Sequence, residues 1–174
     1  ENVLLLRGDA ARNERHFVAE PGGHPFALDL VKQVVNMNRG QYLEEEHQGG
    51  KTDFNIGVAG YPEKHFESPN LKADLKVLKD KVDAGAHYIV TQMFFDNQKF
   101  FAFEKSCREA GITVPIIPGL KPITVASQVN MIPRVFHVDI PEALSDAVEK
   151  AKNPAEVEKI GAAWCIEQSR ELKA

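Results

Sequence analysis

Four short apolar runs in the sequence each lead into polar residues whose side chains could bind a small molecule. These residues are Arg7, Gly8 and Asp9 after the first run, Tyr61, Glu63 and His65 after the second, Thr91 and Gln92 in the third, and Pro118, Gly119 and Lys121 after the fourth. Carboxylate, phenol, imidazole and amide groups that converge on one face are typical of a small-molecule site. The site would exist only if the fold brings the four run ends together.

The pattern of elements predicts that arrangement. Strands are predicted at 3–6, 54–59, 88–93 and 114–117, and helices at 26–37, 69–84, 97–110, 126–133, 141–152 and 154–172. Strands that alternate with helices indicate one α/β domain with a parallel sheet, and continuous apolar runs are typical of strands buried on both faces. Parallel strands place their functional residues at their carboxyl ends, so the polar residues are expected at one edge of the sheet.

Two architectures remain open on pattern alone. No Gly-x-Gly-x-x-Gly motif follows any predicted strand, which disfavours a Rossmann dinucleotide site. A flavodoxin-like sheet and a (β/α)8 TIM barrel both accommodate repeated strand–helix units. Four strands would be half of such a barrel, which needs roughly 250 residues when complete. The chain is therefore expected to continue beyond the 174 residues of the sequence.

Composition narrows the class of partner. The net charge of −4 and the isoelectric point near 5.9 disfavour nucleic acid and anionic membranes as partners. No apolar run approaches the roughly 20 residues of a membrane span, and no signal peptide opens the chain. Cys107 and Cys165 lie in helical patterns without a Cys-x-x-Cys motif, which favours reduced thiols and a cytoplasmic location.

Each candidate residue also has a purely structural interpretation. Asp9 could cap a turn, and Tyr61 could sit at the edge of the core with its hydroxyl in water. His65 could be a surface histidine, and Gln92 could satisfy the backbone of its own strand. Spacing alone leaves the active-site and structural interpretations equally open.

Five blocks of the sequence resemble motifs of one enzyme family. The blocks are LRGD (6–9), AGYPEKH (59–65), ADL with LKDKVDAGA (73–75 and 78–86), TQMFFD (91–96) and PIIPG (115–119). They occur in the order and at the spacing found in methylenetetrahydrofolate reductases, between Asn2 and about Pro141. One block would be a weak indication, whereas five in register make the chain similar to this family.

The resemblance implies a flavin-bearing (β/α)8 barrel, of which this chain would hold strands four to seven. It implies FAD as cofactor, NAD(P)H as electron donor and 5,10-methylenetetrahydrofolate as substrate, reduced to 5-methyltetrahydrofolate in one-carbon metabolism and methionine biosynthesis. In such enzymes the donor and the folate use the same face in turn, and the folate reacts as a 5-iminium cation. A homo-oligomer is expected only by analogy with the family.

The resemblance also assigns roles residue by residue. Asp9 would be catalytic, because its carboxylate would stabilise the iminium charge. The positions that would hold FAD are Arg7, Gly8, Asp9, Ala27, Tyr61, His65, Asp74 and Lys81, with Lys81 near the pyrophosphate. Gln92 would hydrogen-bond the pterin or the nicotinamide, and Gln128 would be a second folate contact.

The chain departs from the family pattern at several positions. Val77 and Asp80 replace polar or basic FAD contacts of some members, and Ile132 replaces a Phe that stacks on the donor in some bacterial members. The choice between NADH and NADPH therefore stays open. The glutamate that acts as general acid lies on the family's first strand, outside the four strands seen here.

Two other functions remain open. One is a non-catalytic flavin- or folate-binding relative, for example a subunit of a methyl-transfer system. The other is an unrelated (β/α) enzyme whose strand ends look alike by accident. A flavin that is bleached by reduced nicotinamide would exclude the second function and weaken the first.

Overall fold

A four-stranded parallel sheet organises the chain. The computed structural model describes residues 1–10, 14, 16–44 and 49–173. The strands are β1 (Asn2–Leu5), β2 (Asn55–Gly60), β3 (Tyr88–Met93) and β4 (Ile116–Gly119), and they lie side by side in the order β1-β2-β3-β4. In the register, Leu4 pairs with Gly57, Gly57 with Tyr88, and Val90 with Ile117. The four predicted strands and their parallel arrangement are confirmed, although β4 begins two residues later than predicted and includes Pro118 and Gly119.

Six helices accompany the sheet in the described part of the chain. They are α1 (Ala27–Asn38), α2 (Leu71–Asp83), α3 (Asn97–Glu109), α4 (Gln128–Phe136), α5 (Glu142–Glu149) and α6 (Pro154–Glu171). One helix connects each pair of neighbouring strands, and three follow β4. This strand order contains no reversal, whereas a doubly wound sheet changes direction at a switch point. The described strands therefore follow the singly wound course that a barrel requires.

The two faces of the sheet differ in how they are covered. On one face Ile56, Val58 and Ile89 are fully buried against α1, α2 and α3, in a core that includes Val31 and Phe103. On the opposite face, several apolar side chains are exposed to solvent in the described part of the chain. Leu4 is 43%, Leu6 is 51% and Ile117 is 47% exposed. We call this second side of the sheet the open face.

A second core cluster lies beneath the last three helices. Ile132, Val138 and Leu144 are buried together with Phe95, which follows β3. Helix α6 approaches the loop after β4 so closely that a Cβ atom on Gly161 would lie 1.8 Å from the carbonyl oxygen of Ile123. Only glycine permits that contact.

Buried polar groups fix α6 beside the start of α3. Trp164 Nε1 donates to the carbonyl oxygen of Phe95 at 2.9 Å, and Asn97 Nδ2 donates to the carbonyl oxygen of Gln168 at 3.1 Å. Such bonds orient a helix whose apolar contacts alone would allow it to slide. Among the described helices, none has both the length and the apolar character needed to cross a bilayer.

The start of α2 differs from the prediction. The sequence favours Ser68 as the cap with Pro69 in the first turn, but the helix begins at Leu71 and Asn70 accepts the capping bond from the backbone N–H of Ala73. The Ser68 hydroxyl instead donates to a carboxylate within the helix, Asp74. The expected apolar stripe also loses its first member, because Leu71 is 40% exposed.

Other helix boundaries agree to varying degrees. The predicted cap of α3 is confirmed, since Asp96 accepts from the backbone N–H of Gln98 at 2.9 Å. Helix α4 is shifted towards the C-terminus relative to its prediction over 126–133 and contains Pro133 inside it. It ends where His137 adopts a left-handed conformation with φ of 54°. A proline removes one helical hydrogen bond, which short helices tolerate when packing holds them.

Candidate active site

The carboxyl ends of β1, β2 and β3 bring most of the predicted site residues to one edge. Gly60 pairs with Thr91, so the residues that follow them, Tyr61 and Gln92, are neighbours. Alternation of side chains along β2 places Tyr61 on the open face, whereas a register shift between Val90 and Met93 interrupts the alternation near Gln92. Arg7 and Asp9 follow β1 at the same edge, and the charges of both residues act on the Tyr61 hydroxyl. The sequence-based expectation of a shared edge therefore agrees with the structure.

The turn between β2 and α2 holds three of the predicted residues in contact. The backbone N–H of His65 donates to Asp74 Oδ2 at 3.1 Å, and the Ser68 hydroxyl donates to Oδ1 of the same carboxylate at 2.8 Å. The ring of His65 meets the ring of Tyr61 edge-on, with centroids 4.7 Å apart. Asp74 is buried in α2 and so acts as a fixed acceptor for the turn. We call residues 61–70 the β2–α2 turn.

Lys64 closes this turn from within. Its Nζ donates to the carbonyl oxygen of His65 at 3.0 Å and to that of Ser68 at 2.7 Å. Its backbone has φ of 82°, a left-handed conformation that a residue with a Cβ seldom adopts. Such strain persists when the surroundings enforce it, and it is concentrated at functional sites. The prediction did not include Lys64, and no sequence signal marks a non-glycine residue for this conformation.

Lys81 places a buried cation beneath the end of β2. It is 7% exposed, and its Nζ donates to the carbonyl oxygen of Ala59 at 2.7 Å. Burial lowers the pKa of its ammonium to about 8, while the Asp74 carboxylate opposes that change. A lysine ammonium has three donors, so two remain for an anion.

Burial also sets the protonation of the aromatic pair. The pKa of Tyr61 is raised by its burial, then by the carboxylates of Asp74 and Asp9, so the phenol keeps its proton. The pKa of His65 is lowered by burial, so its imidazole is neutral at neutral pH. The Tyr61 hydroxyl makes no hydrogen bond to the described residues and is therefore available to a ligand.

The segment after β1 is held by Arg7. Its guanidinium donates to Glu67 Oε2 at 2.7 Å and lies 5.0 Å from the centre of the Phe17 ring. Gly8 and Asp9 are exposed. A Cβ on Gly8 would meet only the Phe17 ring, at 3.8 Å, so space for it exists. Asp9 presents an unshielded carboxylate at the edge.

The remaining predicted residues are placed less tightly. Gln92 Oε1 accepts from the backbone N–H of Met93 at 3.0 Å, which leaves its amide N–H groups without a partner among the described residues. Gln128 Oε1 accepts from the backbone N–H groups of Thr124 and Val125, so it caps the loop before α4. Ala27 is the first residue of α1. No hydrogen bond, ion pair or ring contact among the described residues joins Ala27 or Gln128 to the group at the edge.

The three departures from the family pattern have ordinary structural positions. Val77 is 50% exposed on α2, and Asp80 pairs with Lys76 at 2.7 Å. Ile132 is fully buried in the second core cluster, packed near Val138. It therefore supports α4 from within rather than presenting a stacking surface.

The donors and acceptors at the edge suit a flavin nucleotide. A buried ammonium can meet a phosphate, a free phenol can donate to a ribityl oxygen, and free amide N–H groups can meet a ring carbonyl. Among the described residues no group of three or more His, Cys, Asp or Glu side chains could hold a metal ion.

Comparisons with known proteins point to one family. The family profile described as "Methylenetetrahydrofolate reductase" matches residues 1–174. A Salmonella typhimurium protein named "5,10-methylenetetrahydrofolate reductase" is 43% identical over 91% of the chain and 47% of its own length. A Caenorhabditis elegans protein named "Probable methylenetetrahydrofolate reductase (NADPH)" is 40% identical over 98% of the chain and 24% of its own length.

Further relatives agree in family and differ in electron donor. An Arabidopsis thaliana protein named "Methylenetetrahydrofolate reductase (NADH) 1" is 37% identical over the whole chain and 29% of its own length. The chain thus spans about a quarter to a half of these relatives.

A solved structure of a Clostridium thermocellum protein shares the fold, with a TM-score of 0.54 and 18% identity. The match covers 70% of this chain and 42% of the Clostridium thermocellum chain. That structure's title states that the protein binds two copies of 5-methyl-5,6,7,8-tetrahydrofolic acid.

Proposed function

The chain belongs to the methylenetetrahydrofolate reductase family, and from that premise we propose that its protein reduces 5,10-methylenetetrahydrofolate to 5-methyltetrahydrofolate with FAD as cofactor and NAD(P)H as donor. The observation that supports this most is the common edge of β1, β2 and β3. There a free carboxylate, a free phenol and free amide donors lie beside a buried lysine. This activity would serve one-carbon metabolism and methionine biosynthesis in the cytoplasm.

The four strands are proposed to be strands four to seven of a (β/α)8 barrel. The sequential parallel order supports this, as does the open face, whose apolar side chains would point into the barrel interior. In this arrangement the general acid comes from another strand of the barrel. The chain described here supplies the opposite part of the site.

The flavin would be held mainly by the β2–α2 turn and α2. Lys81 would meet the pyrophosphate with its two free N–H donors, and Tyr61 would donate its hydroxyl to the ribityl chain. His65 would stay neutral, and because its Nδ1 accepts from the backbone N–H of Glu67 at 3.2 Å, its Nε2–H can donate one hydrogen bond without adding charge. Arg7, Gly8 and Ala27 would line the ring system, and Asp74 would fix the turn. When bound, the flavin supplies two-electron hydride chemistry that no side chain can perform.

Asp9 would act on the substrate by electrostatics. Its carboxylate is exposed at the edge and lies close enough to Tyr61 to raise the pKa of that phenol. A fixed negative charge at this place favours a cationic folate over a neutral one. Gln92 would orient the pterin through its free amide N–H groups. Gln128 would reach the folate through its amide N–H groups, since its Oε1 caps the loop before α4.

Two measurements on the complete enzyme test the proposal. The protein should be yellow, and reduced nicotinamide should bleach its flavin absorbance. Asp9→Asn should slow reoxidation of the reduced flavin by methylenetetrahydrofolate by about 10²-fold or more, the loss typical of removing one electrostatic contact. It should slow flavin reduction by nicotinamide far less, because that half-reaction has no folate cation.

Asp83→Asn is a matched control, since Asp83 is an exposed aspartate paired with Lys79 on α2. It should leave both half-reactions unchanged. Equal losses in both half-reactions of Asp9→Asn would contradict the role of Asp9. A protein that binds folate and flavin without turnover would support the non-catalytic alternative instead.

A further inference from the structure

An ionic cluster, in which Glu63 is largely buried and Asp139 is exposed, joins three distant segments beside the predicted site. Lys99, in the first turn of α3, donates to Glu63 Oε2 at 2.6 Å and to Asp139 Oδ2 at 2.5 Å. The backbone N–H of Asp139 donates to the same Glu63 oxygen at 3.1 Å. Glu63 lies in the β2–α2 turn, between Tyr61 and His65. Asp139 lies in the α4–α5 connection, residues 137–141.

Aromatic rings join the same two segments a second time. Phe66 stacks on His137 with ring centroids 4.8 Å apart, and it also stacks on His65 with centroids 4.9 Å apart. His137 has the left-handed conformation that ends α4. Val138, between the two contacting residues, is buried in the second core cluster. The α4–α5 connection is therefore held in the second core cluster by Val138, and it contacts the β2–α2 turn through His137 and Asp139.

The burial of Glu63 makes its side chain depend on the bonds to Lys99 and Asp139. Its side chain is 11% exposed, and its Oε1 atom is buried without a hydrogen-bond partner among the described residues. Burial raises the pKa of this carboxyl, and its bonds to Lys99 and Asp139 oppose that rise. A buried carboxylate with one open oxygen depends on its remaining partners, so losing Lys99 would release the side chain.

We propose that Glu63 is a positioning residue for the cofactor site, which it holds in shape by tying the β2–α2 turn through Lys99 to the α4–α5 connection. This inference rests on the proposed function, since the turn carries Tyr61 and His65, which would contact the flavin. The tie also couples that turn to α4, which carries Gln128. The geometry of the flavin site would then depend on α4, even if α4 does not contact the cofactor.

The test measures the FAD dissociation constant of the complete protein, far below its melting temperature. Lys99→Met removes the cation but keeps an unbranched apolar chain, and it should raise the dissociation constant about tenfold or more, as expected for a lost charged hydrogen bond. Glu63→Gln should act in the same direction. Lys99→Arg keeps a donor that can meet both carboxylates, and it should stay within about twofold of wild type.

Trp164→Phe provides the control for general loosening. It removes the hydrogen bond from α6 to the carbonyl of Phe95, so it should lower the melting temperature without changing FAD affinity. If Lys99→Met binds FAD as tightly as wild type, or no more weakly than Trp164→Phe, the inference is overturned. If Lys99→Arg and Lys99→Met lose affinity equally, it is overturned as well.

The outcome also separates this inference from the proposed function. Wild-type protein that binds no FAD would refute both. Tight binding by wild type and by all the cluster variants would refute the positioning role alone. Because Lys99 is partly exposed, its two variants remain informative if Glu63→Gln fails to fold.

Discussion

The buried ammonium of Lys81 should make the stability of the protein depend on pH in an unusual direction. Its pKa falls from the ordinary 10.5 to about 8 because burial disfavours the charged form. The unfolded chain therefore holds more protons than the folded chain between these two values. Stability must then rise with pH in this window, whereas below it the full cost of burying the charge is present.

The size of the effect follows from the two pKa values. The charged form costs about 3 kcal/mol of stability at neutral pH, and about 2 kcal/mol of that is regained between about pH 7.5 and about pH 10. Lys81→Met has no charge to bury, so its stability should lack this gain. At the lower pH the variant should match or exceed wild type, since relief of burial offsets the lost bond to Ala59. At the higher pH wild type should be more stable.

The measurement is urea unfolding of both proteins at the two pH values, which separates Lys81 from other groups that titrate. Lys76→Met is the matched control, because Lys76 lies on the same helix and its side chain is 75% exposed. It should follow the wild-type profile. Parallel profiles for wild type and Lys81→Met would refute the reasoning. Lys81→Met should also bind FAD more weakly than wild type. A lysine that is kept buried although its charge lowers the stability of the fold is typical of a functional site.

Gly161→Ala should destabilise the protein by about 2 kcal/mol or more, since its Cβ would overlap the Ile123 carbonyl and overpacking outweighs the gain in helix propensity. In thermal melts Gly50→Ala, whose Cβ meets nothing within 4 Å, should leave the midpoint nearly unchanged, and equal midpoints for the two variants would contradict the close contact. Burial raises the pKa of the Cys107 thiol to about 11, so a thiol reagent near pH 8 should modify Cys165 first and reach Cys107 only on unfolding. Two thiols modified at the same rate in the native protein would be inconsistent with that burial.

Much of the fold is readable from local patterns. Apolar runs of strand length predict β2 and β3 to within a residue, because a strand buried on its helix side needs such a run. Asp96 is recognisable as a cap because capping joins residues only two apart. The edge that gathers Asp9, Tyr61 and Gln92 follows from parallel strands, since their carboxyl ends must share one side.

Contacts between distant segments are a different matter. The sequence predicts Ser68 as the helix cap. In the structure the Ser68 hydroxyl donates to the Asp74 carboxylate instead, and the helix begins later, at Leu71. The bond from Lys99 to Glu63 joins residues 36 apart, and the bond from Asp139 joins residues 76 apart. No periodicity marks such pairs, because only packing of the helices against the sheet brings them within hydrogen-bonding range. Tertiary structure therefore decides which carboxylates are buried and how rigidly the site is held.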